Sequence, residues 1–302
     1  MNAIKNKYTY VLKSIKKNVN LRPVFNNLKN KTYVISGGTR GVGLEIAKSL
    51  SSFGANIAIL GRTIKPHPKL EGTLETALRD IKSVSKYDND VIAVECDVRN
   101  FENIDESINK IVNHFGSING VILNASALCL NSTLNQTKKE VDLMSSVNIN
   151  GTFTVGQKCL EHIKNEDHGN VVIIAPPIDM LYEDDWWINH LYYSMSKFNM
   201  SIMAKFWNKE FPNVSVNTLW PRTTLDTAPV RNILGGDEMV NISRCPSIMG
   251  DATKHIICAN PLECSGYNFI DDEVLSSLDI DIEKYRINKN ISEKDLMPDF
   301  FC

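Results

Sequence analysis

Short apolar runs alternate with amphipathic, helix-forming segments from Lys31 onward. The runs with strand character are TYVIS from Thr32, NIAIL from Asn56, VIAVE from Val91, GVILN from Gly120, NVVIIA from Asn170, VSVNTL from Val214 and YNFI from Tyr267. These runs are continuously apolar, which is typical of strands covered on both faces. Alternating strands and helices connect through right-handed crossovers. The pattern predicts a doubly wound parallel α/β sheet of about seven strands, with helices on both faces, in a single domain.

Two segments interrupt this alternation, one between Ala175 and Leu191 and one from Trp220 to about Gly250. Each follows a predicted strand, so both are expected at the carboxyl edge of the sheet, where open α/β folds bind ligands. Their apolar side chains are Trp186, Trp187, Leu191 and Tyr192 in the first segment and Met239 and Ile242 in the second. These side chains predict either an apolar substrate cavity or a core or subunit contact.

Composition narrows the class of protein. The chain has 302 residues, a formal net charge of -2 and 43% hydrophobic residues, which suffices for one large core. The absence of a basic excess argues against nucleic acid as a partner. Seven cysteines without a CxxC pair indicate reduced thiols in an intracellular protein. The histidines have no ligand-like partners, so no metal is expected, and no apolar run has the ~20 residues of a transmembrane segment.

The first 30 residues form a basic stretch, because the first acidic residue is Glu45. Apolar residues at helical spacing (Ile4, Tyr8, Val11, Ile15 and Val19) lie between the lysines. We therefore divide the chain into an N-terminal extension, residues 1–30, and a domain, residues 31–302. A basic, acid-free, amphipathic leader predicts a mitochondrial location. A disordered tail in the cytoplasm, another organelle, or a helix on an anionic membrane surface are the alternatives.

A glycine turn follows the first predicted strand and opens a helix. Gly37, Gly41 and Gly43 have the spacing G-x-x-x-G-x-G. Glycines permit a tight turn and let backbone N–H groups and a helix N-terminus approach a pyrophosphate without a Cβ in the way. The turn in this context predicts a dinucleotide-binding site.

The end of the second strand indicates which dinucleotide. A carboxylate there would bind the adenosine 2′-hydroxyl of NAD, but this strand ends Leu60-Gly61-Arg62. Arg40 lies within the glycine turn itself. Two guanidinium groups suit a 2′-phosphate, so we predict NADP(H) in preference to NAD(H). The alternative is that Arg62 is only a solvated loop residue.

Five motifs in order resemble the short-chain dehydrogenase/reductase family. They are SGGTRGVG from Ser36, CDVR at Cys96, NAS at Asn124, NING at Asn148 and YSMSK at Tyr193, and the resemblance extends to about Asp272. KPHPKLEGT, LWPRT, LGG and MPDFF narrow it to a hydroxysteroid dehydrogenase-like branch. That branch carries a sterol-carrier-type domain, which we expect to be missing after Cys302.

The resemblance implies a Rossmann-type fold and a set of cofactor contacts. With the turn and the arginines, the cofactor-binding prediction comprises Gly37, Thr39, Arg40, Gly41, Val42, Gly43, Arg62, Asp97, Val98, Asn124, Ala125, Ser126, Tyr193, Lys197, Pro221 and Thr223. By resemblance Asp97 meets the adenine ring, and Asn124 to Ser126 line the middle of the cofactor. Leu123 and Ser126 depart from the first and last positions of the family's Asn-Asn-Ala-Gly motif.

The predicted catalytic residues are Tyr193, Lys197 and Asn148. Four positions apart on a helix, Tyr193 and Lys197 project from one face. A neighbouring ammonium favours the phenolate, so we expect Lys197 to lower the pKa of Tyr193. Tyr193 then exchanges a proton with the substrate oxygen. The resemblance implies that Lys197 also holds the nicotinamide ribose and that Asn148 orders a water leading to it.

One expected member of the site is missing. The family places a serine at the end of the fifth strand, whereas this strand ends Ile174-Ala175-Pro176-Pro177. Tyr193 alone or Ser126 would then hold the substrate oxygen. We predict hydride transfer to or from the carbonyl or alcohol of an apolar, fatty acyl or steroid-like, substrate, in a protein that forms homo-oligomers. The alternative is a catalytically impaired dinucleotide-binding sensor or scaffold.

Overall fold

The computed structural model describes residues 19–66, 70–179 and 189–300. Trp186 and Trp187, and Asp184 and Asp185 beside them, lie outside the described residues, as does most of the basic N-terminal stretch. Residues 67–69, within the KPHPKLEGT motif, also lie outside them.

Seven parallel strands form one sheet in the order β3-β2-β1-β4-β5-β6-β7. The strands are β1 (Thr32–Ser36), β2 (Asn56–Gly61), β3 (Val91–Glu95), β4 (Gly120–Leu123), β5 (Gly169–Ile174), β6 (Val214–Trp220) and β7 (Asn268–Ile270). The strand order changes direction between β1 and β4, and open α/β folds bind ligands at such a point. The predicted Rossmann-type fold is confirmed.

Nine α-helices accompany the strands in the described part. They are α1 (Gly41–Ser52), α2 (Leu74–Val84), α3 (Phe101–Phe115), α4 (Lys138–Met144), α5 (Thr152–Ile163), α6 (Leu191–Glu210), α7 (Gly236–Asn241), α8 (Ser247–Cys258) and α9 (Asp271–Ser276). A π-helix, Ser145–Gly151, joins α4 to α5, and another, Val230–Leu234, precedes α7.

The two faces of the sheet carry separate cores, which explains the continuously apolar strands. Tyr33 and Ile35 of β1 belong to the core shared with α1, α2, α8 and α9. Val34, between them, belongs to the core shared with α3, α5 and α6. Alternate residues of a strand point to opposite faces, so a strand covered twice must be apolar at every position.

Residues 19–30, which we assigned to the N-terminal extension, pack against the domain. Leu21 and Leu28 are buried in the core next to α1 and α8, and the Val24 backbone N–H donates to the Cys258 carbonyl at 2.8 Å. Within the described ranges no helix is long and apolar enough to cross a bilayer. No cluster of three or more potential metal ligands occurs in those ranges either.

Candidate active site

The glycine turn has the backbone geometry that its sequence predicts. Gly37 and Gly41 have positive φ angles of 70° and 54°, which glycine adopts without a Cβ penalty. A Cβ on Gly43 would lie 2.4 Å from the Gly37 carbonyl oxygen and 2.5 Å from Asn124 Nδ2. Gly38, which the sequence analysis did not single out, is equally constrained, since its Cβ would lie 2.6 Å from Ile59 Cγ2. Close packing therefore needs glycine at two positions, and the backbone angle needs it at two others.

A cavity of about 470 Å³ opens over this turn at the carboxyl ends of β1 and β2. Several residues that the sequence predicts to bind the cofactor line this cavity. They are Gly37, Thr39, Arg40, Gly41, Val42, Arg62, Val98, Asn124, Ala125 and Ser126. Those that the sequence analysis missed are Leu60, Gly61, Thr63, Leu70, Cys96, Val147, Thr227, Ala228 and Pro229. The volume lies within the ~300–1,000 Å³ range of small-molecule sites. We call it the nucleotide cavity.

Asn124 connects the end of β4 to the turn. Its Nδ2 donates to the carbonyl oxygens of Ser36 and Gly37, both at 3.1 Å. The Ser36 hydroxyl accepts from the backbone N–H groups of Asn124 and Ala125 at 3.0 and 3.1 Å. These bonds fix the floor of the nucleotide cavity.

Two arginines contribute positive charge to the nucleotide cavity. Arg40 donates through Nη2 to Thr63 Oγ1 at 3.0 Å and to the Gly72 carbonyl at 2.7 Å, while its buried Nε has no protein partner among the described residues. Burial lowers the pKa of Arg40, and the charge of Arg62 lowers it further. The Nη1 of Arg62 lies 3.6 Å from Asp97 Oδ2. An anionic group in the cavity would satisfy both guanidinium groups.

Asp97 itself is held ionised beside the nucleotide cavity. The Arg99 side chain, followed by Arg62, keeps the pKa of the Asp97 carboxyl at about 2. Its neighbours Cys96 and Val98, but not Asp97, line the cavity. The adenine contact that the resemblance implied for Asp97 stays a prediction.

The predicted catalytic pair lies on the first two turns of α6. Tyr193 is 6% exposed and Lys197 2% exposed, and both line a second cavity of about 190 Å³. The Lys197 ammonium donates to the Ile174 carbonyl at 2.7 Å and lies 5.0 Å from the centre of the Trp220 ring. One helix face thus presents both groups to one cavity, as the four-residue spacing predicts.

The expected effect of Lys197 on Tyr193 is wrong. Burial raises the pKa of Tyr193, and the charge of Asp299 raises it further. Burial also lowers the pKa of Lys197 to about 7, against a smaller opposing effect of Asp299. Burial therefore opposes the ammonium form of Lys197 that the expected effect on Tyr193 requires.

Asn148 lies in the π-helix before α5, and protein partners use all of its side-chain hydrogen-bonding capacity. Its Oδ1 accepts from the Ala127 N–H at 2.7 Å and from Ser126 Oγ at 3.2 Å. Its Nδ2 donates to the Ala127 carbonyl and to Ser196 Oγ, both at 2.9 Å. The side chain thus fixes the 126–127 backbone beside α6. The water-ordering role of Asn148 stays a prediction.

The end of β5 offers no hydroxyl to a substrate. Ala175 is fully buried, and the Pro176 carbonyl accepts from Ser201 Oγ at 2.6 Å. The Ile174 carbonyl is already engaged by Lys197. Ser126, the replacement considered from the sequence, does line both cavities.

The second cavity, which we call the substrate cavity, is apolar as expected, but other residues line it. Leu191, Tyr192, Met239 and Ile242 are absent from its described wall, so the first of the two interpretations, a substrate cavity, is wrong for them. Tyr192 packs against the core, in line with the second interpretation. The apolar wall of the substrate cavity consists of Val42, Leu128, Ile174, Trp220, Pro221, Leu225, Pro229, Val230, Leu234, Met249 and Phe300. Leu191 instead is 38% exposed at the start of α6, and the Tyr192 hydroxyl bonds Ser145 Oγ at 2.6 Å.

Some predicted cofactor residues lie outside both cavity walls. Gly43 packs against the turn from behind, and Thr223 is buried with its hydroxyl bonded to the Thr224 carbonyl at 3.2 Å. Thr224, its neighbour, does line the substrate cavity, as do Asp299 and Phe300. The sequence analysis quoted the MPDFF motif only for its resemblance, and no local pattern marks Asp299 as a site residue.

The two cavities adjoin. Val42, Asn124, Ser126, Thr227 and Pro229 line both of them. An extended ligand can therefore run from the glycine turn to the catalytic pair.

Comparisons with known proteins agree with this geometry. The short chain dehydrogenase family model matches residues 31–234. Hydroxysteroid dehydrogenase-like protein 2 of Xenopus tropicalis is 34% identical over 283 residues, covering 92% of this chain and 65% of that protein. The Homo sapiens protein of that name is 33% identical over 282 residues, with the same two coverages of 92% and 65%. The chain thus spans about two thirds of the length of these relatives.

Solved structures give the same result. A putative dehydrogenase from Xanthomonas campestris superposes with a TM-score of 0.83 at 34% identity, covering 91% of this chain and 99% of that one. A short chain dehydrogenase from Mycobacterium thermoresistibile has a TM-score of 0.81 at 34% identity, covering 90% and 95%. The chain belongs to the short-chain dehydrogenase/reductase family of nicotinamide-dependent oxidoreductases.

Proposed function

We propose that this protein is an NADP(H)-dependent oxidoreductase that interconverts the carbonyl and the alcohol of an apolar substrate. The observation that carries the proposal is the continuity of the two cavities, with the glycine turn at one end and Tyr193 and Lys197 at the other. This arrangement suits a dinucleotide whose nicotinamide reaches the substrate cavity.

The bound nicotinamide would supply or accept the hydride, and the chain's own residues handle the proton. In reduction, the Tyr193 hydroxyl gives its proton to the substrate oxygen, and in oxidation the phenolate takes it back. Lys197 lies one helical turn away and carries the donor groups expected at the ribose. Ser126 lies at the junction of the cavities, and its hydroxyl would have to leave Asn148 Oδ1 in order to donate to the substrate oxygen.

The choice of NADP(H) over NAD(H) rests on Arg40 and Arg62. Both line the nucleotide cavity, and their mutual repulsion contributes to the lowered pKa of Arg40. A 2′-phosphate between them would relieve that repulsion and supply an acceptor for the buried Arg40 Nε. In the described part of the chain, the end of β2 provides no carboxylate that would favour the 2′-hydroxyl of NAD instead.

The substrate class follows from the wall of the substrate cavity. Apart from Tyr193, Lys197 and Asp299, that wall carries no ionisable side chain among the described residues. Such a site favours a fatty acyl or steroid-like carbonyl compound or alcohol. The names of the relatives, hydroxysteroid dehydrogenase-like protein 2, are compatible with this class.

The test is NADPH oxidation measured against a panel of steroid, aliphatic and acyl-CoA carbonyl compounds. Tyr193→Phe should abolish turnover while NADPH binding, followed by the cofactor's fluorescence, stays unchanged. The expected loss is ~10²–10⁴-fold in kcat, the usual contribution of general acid–base catalysis. Full activity in this variant would reject the mechanism.

The same assay distinguishes the proposed oxidoreductase from the alternative function, a dinucleotide-binding sensor or scaffold. A sensor or scaffold would bind NADPH and oxidise it with none of the panel. One reduced carbonyl compound excludes that alternative. NADPH binding without turnover across the panel would instead contradict the proposed oxidoreductase.

A further inference from the structure

Residues 297–300 form a segment that contributes Asp299 and Phe300 to the wall of the substrate cavity and is held by backbone hydrogen bonds. The Thr224 N–H donates to the Met297 carbonyl at 2.9 Å, and the Asp299 N–H donates to the Arg222 carbonyl at 3.0 Å. Trp220 Nε1 donates to the Phe300 carbonyl at 2.7 Å. We call these residues the covering segment. The partners in these bonds, Trp220, Arg222 and Thr224, lie at the end of β6 and directly after it. The covering segment is therefore held against the carboxyl end of β6.

The covering segment brings two side chains to the catalytic pair. The Phe300 ring meets the Tyr193 ring edge-on, with 6.5 Å between their centres. Asp299 lines the substrate cavity together with Tyr193 and Lys197. Its Oδ1 accepts from the Phe300 N–H at 2.7 Å. No ion pair within 4.0 Å joins this carboxylate to a cation of the described residues, and Lys197 acts on it through its charge.

Among the described residues, Asp271 and Lys197 act on the charge of Asp299. Tyr193 and Lys197 of α6 line the same cavity, and Asp271 is the first residue of α9. The pKa of Asp299 is raised to about 7, chiefly by burial and in part by the charge of Asp271, while the Phe300 N–H and Lys197 act to lower it. Lys197 has a pKa of about 7 as well. A carboxyl group whose pKa is raised and an amine whose pKa is lowered thus line one cavity together with Tyr193.

We propose that Asp299 is the third acid–base group of this site, sharing with Lys197 the proton that resupplies Tyr193. The inference rests on the proposed oxidoreductase function. It assigns a role to the one carboxyl group in the described wall of the substrate cavity. It also places that group in a site that lacks the hydroxyl at the end of β5.

The proton balance is as follows. In reduction the Tyr193 O–H bond breaks, an O–H bond forms on the substrate oxygen, and the electron pair remains on the phenolate. The phenolate then takes the proton held by Lys197 and Asp299. Solvent returns one proton to the Asp299 carboxylate. Oxidation of the alcohol runs the same transfers in reverse and releases one proton.

The first experiment needs no turnover. The protein is labelled with 13C at the aspartate carboxyl carbons and followed by NMR. The resonance that disappears in Asp299→Asn is assigned to Asp299, and it is thereby distinguished from that of Asp271. We expect it to titrate near pH 7, and its midpoint to rise in Lys197→Met because a cation that lowers the pKa is gone. A midpoint at the ordinary value of ~4, unmoved by Lys197→Met, would overturn the proposal.

A reciprocal titration covers the case in which Lys197→Met does not fold. With 13C at the lysine ε-carbons, one resonance should titrate near pH 7, well apart from the other lysines. Asp299→Asn should move its midpoint to lower pH, because the carboxylate that favours the ammonium is removed. An unchanged midpoint contradicts the shared proton.

The second experiment follows carbonyl reduction by NADPH against pH. The wild-type rate should fall as pH rises through about 7, where the shared proton is lost. Asp299→Asn keeps the acceptor for the Phe300 N–H, yet should lower kcat at pH 7 by about 10-fold and move the fall to lower pH. The matched control is Asp279→Asn, which removes a carboxylate from an exposed position.

The outcomes are distinguishable. A purely structural Asp299 leaves the pH at which the rate falls unchanged, whatever happens to the rate itself, and that result overturns the proposal. If the wild-type protein reduces no compound of the panel, the proposed function fails. The two titrations then decide the shared proton by themselves.

Discussion

Arg40 and Arg62 line the nucleotide cavity, but they are held differently. Arg40 is bonded to Thr63 and Gly72, so its replacement would disturb the loop after β2. The Arg62 side chain is 55% exposed and contacts Asp97 at 3.6 Å. Arg62 is therefore the residue whose removal reports on the cofactor with the least effect on the fold.

Arg62→Ala should weaken NADPH binding by about 10- to 100-fold, because a charge-assisted hydrogen bond contributes about 1.5–3 kcal/mol. NADH, which lacks the 2′-phosphate, should bind with unchanged affinity. The measurement is a fluorescence titration with each cofactor. Arg79→Ala, which removes a 77% exposed arginine of α2, controls for the loss of net charge. Equal weakening of both cofactors would refute the phosphate contact.

Among the elements, β1, the glycine turn and α1 form the unit on which the nucleotide cavity depends. The start of α1 approaches the turn so closely that Gly43 leaves no space for a side chain toward Gly37 and Asn124. Backbone atoms form part of that contact, and backbone atoms cannot move aside as a flexible side chain can. Helix position and cavity shape are thus coupled.

Gly43→Ala should destabilise the protein by about 1–3 kcal/mol through overpacking and should also weaken cofactor binding. Chemical denaturation and the NADPH titration measure the two effects. Gly116→Ala is the control, since Gly116 has a φ of 83° but no atom within 4 Å of the position that a Cβ would take. It should cost stability through backbone strain and leave NADPH affinity intact. Unaltered cofactor binding in Gly43→Ala would contradict the coupling.

At the scale of the whole molecule, an apolar surface on α5 and α6 bears on assembly. Met195, Ile202 and Phe206 of α6 are 49%, 42% and 62% exposed, and Phe153 of α5 is 44% exposed. The spacings of seven and four residues place the α6 members on one helix face. Such a surface suits the homo-oligomer that the sequence analysis predicted.

We expect Phe206→Glu to convert the oligomer to monomer, because a charge in an apolar interface is costly to bury. Light scattering coupled to size-exclusion chromatography measures the mass. Leu262→Glu, at a 77% exposed position elsewhere on the surface, should leave the mass unchanged. A wild-type protein that elutes as a monomer contradicts the predicted assembly.

The mitochondrial location and the division at residue 30 remain predictions. Residues 1–18, which carry most of the basic amphipathic pattern, lie outside the described residues. Residues 19–30 contribute Leu21 and Leu28 to the core.

Local patterns along the chain were enough to predict the fold and much of the nucleotide cavity. All seven strands occur where continuous apolar runs predicted them, because an apolar run between two helices has to be covered on both faces. Gly37 and Gly41 adopt the positive φ angles that their spacing implied. Tyr193 and Lys197 reach one cavity because four residues make about one helical turn.

The lining of the substrate cavity could not be predicted in this way, because it depends on contacts between segments that are distant in the sequence. Met239 and Ile242 predicted either a substrate wall or a core or subunit contact, whereas Leu225, Val230 and Met249 are among the residues that form the wall. Periodicity identifies a loop as apolar, but the packing of the loop decides which side chains face the cavity. Equally, no local signal places Asp299 beside α6.

The amino-acid sequence by itself determined the order of strands and helices, the glycine turn and the position of Tyr193 and Lys197 on one helix face. These features follow from backbone preferences and from the spacing of residues, which act over a few positions. Only the tertiary structure decided the protonation of the site. The pKa values of Tyr193, Lys197 and Asp299 depend on how completely water is excluded and on which charges face each other across the cavity. Both conditions arise only where segments that are distant in the sequence pack around α6, as Ile174, Trp220 and Phe300 do.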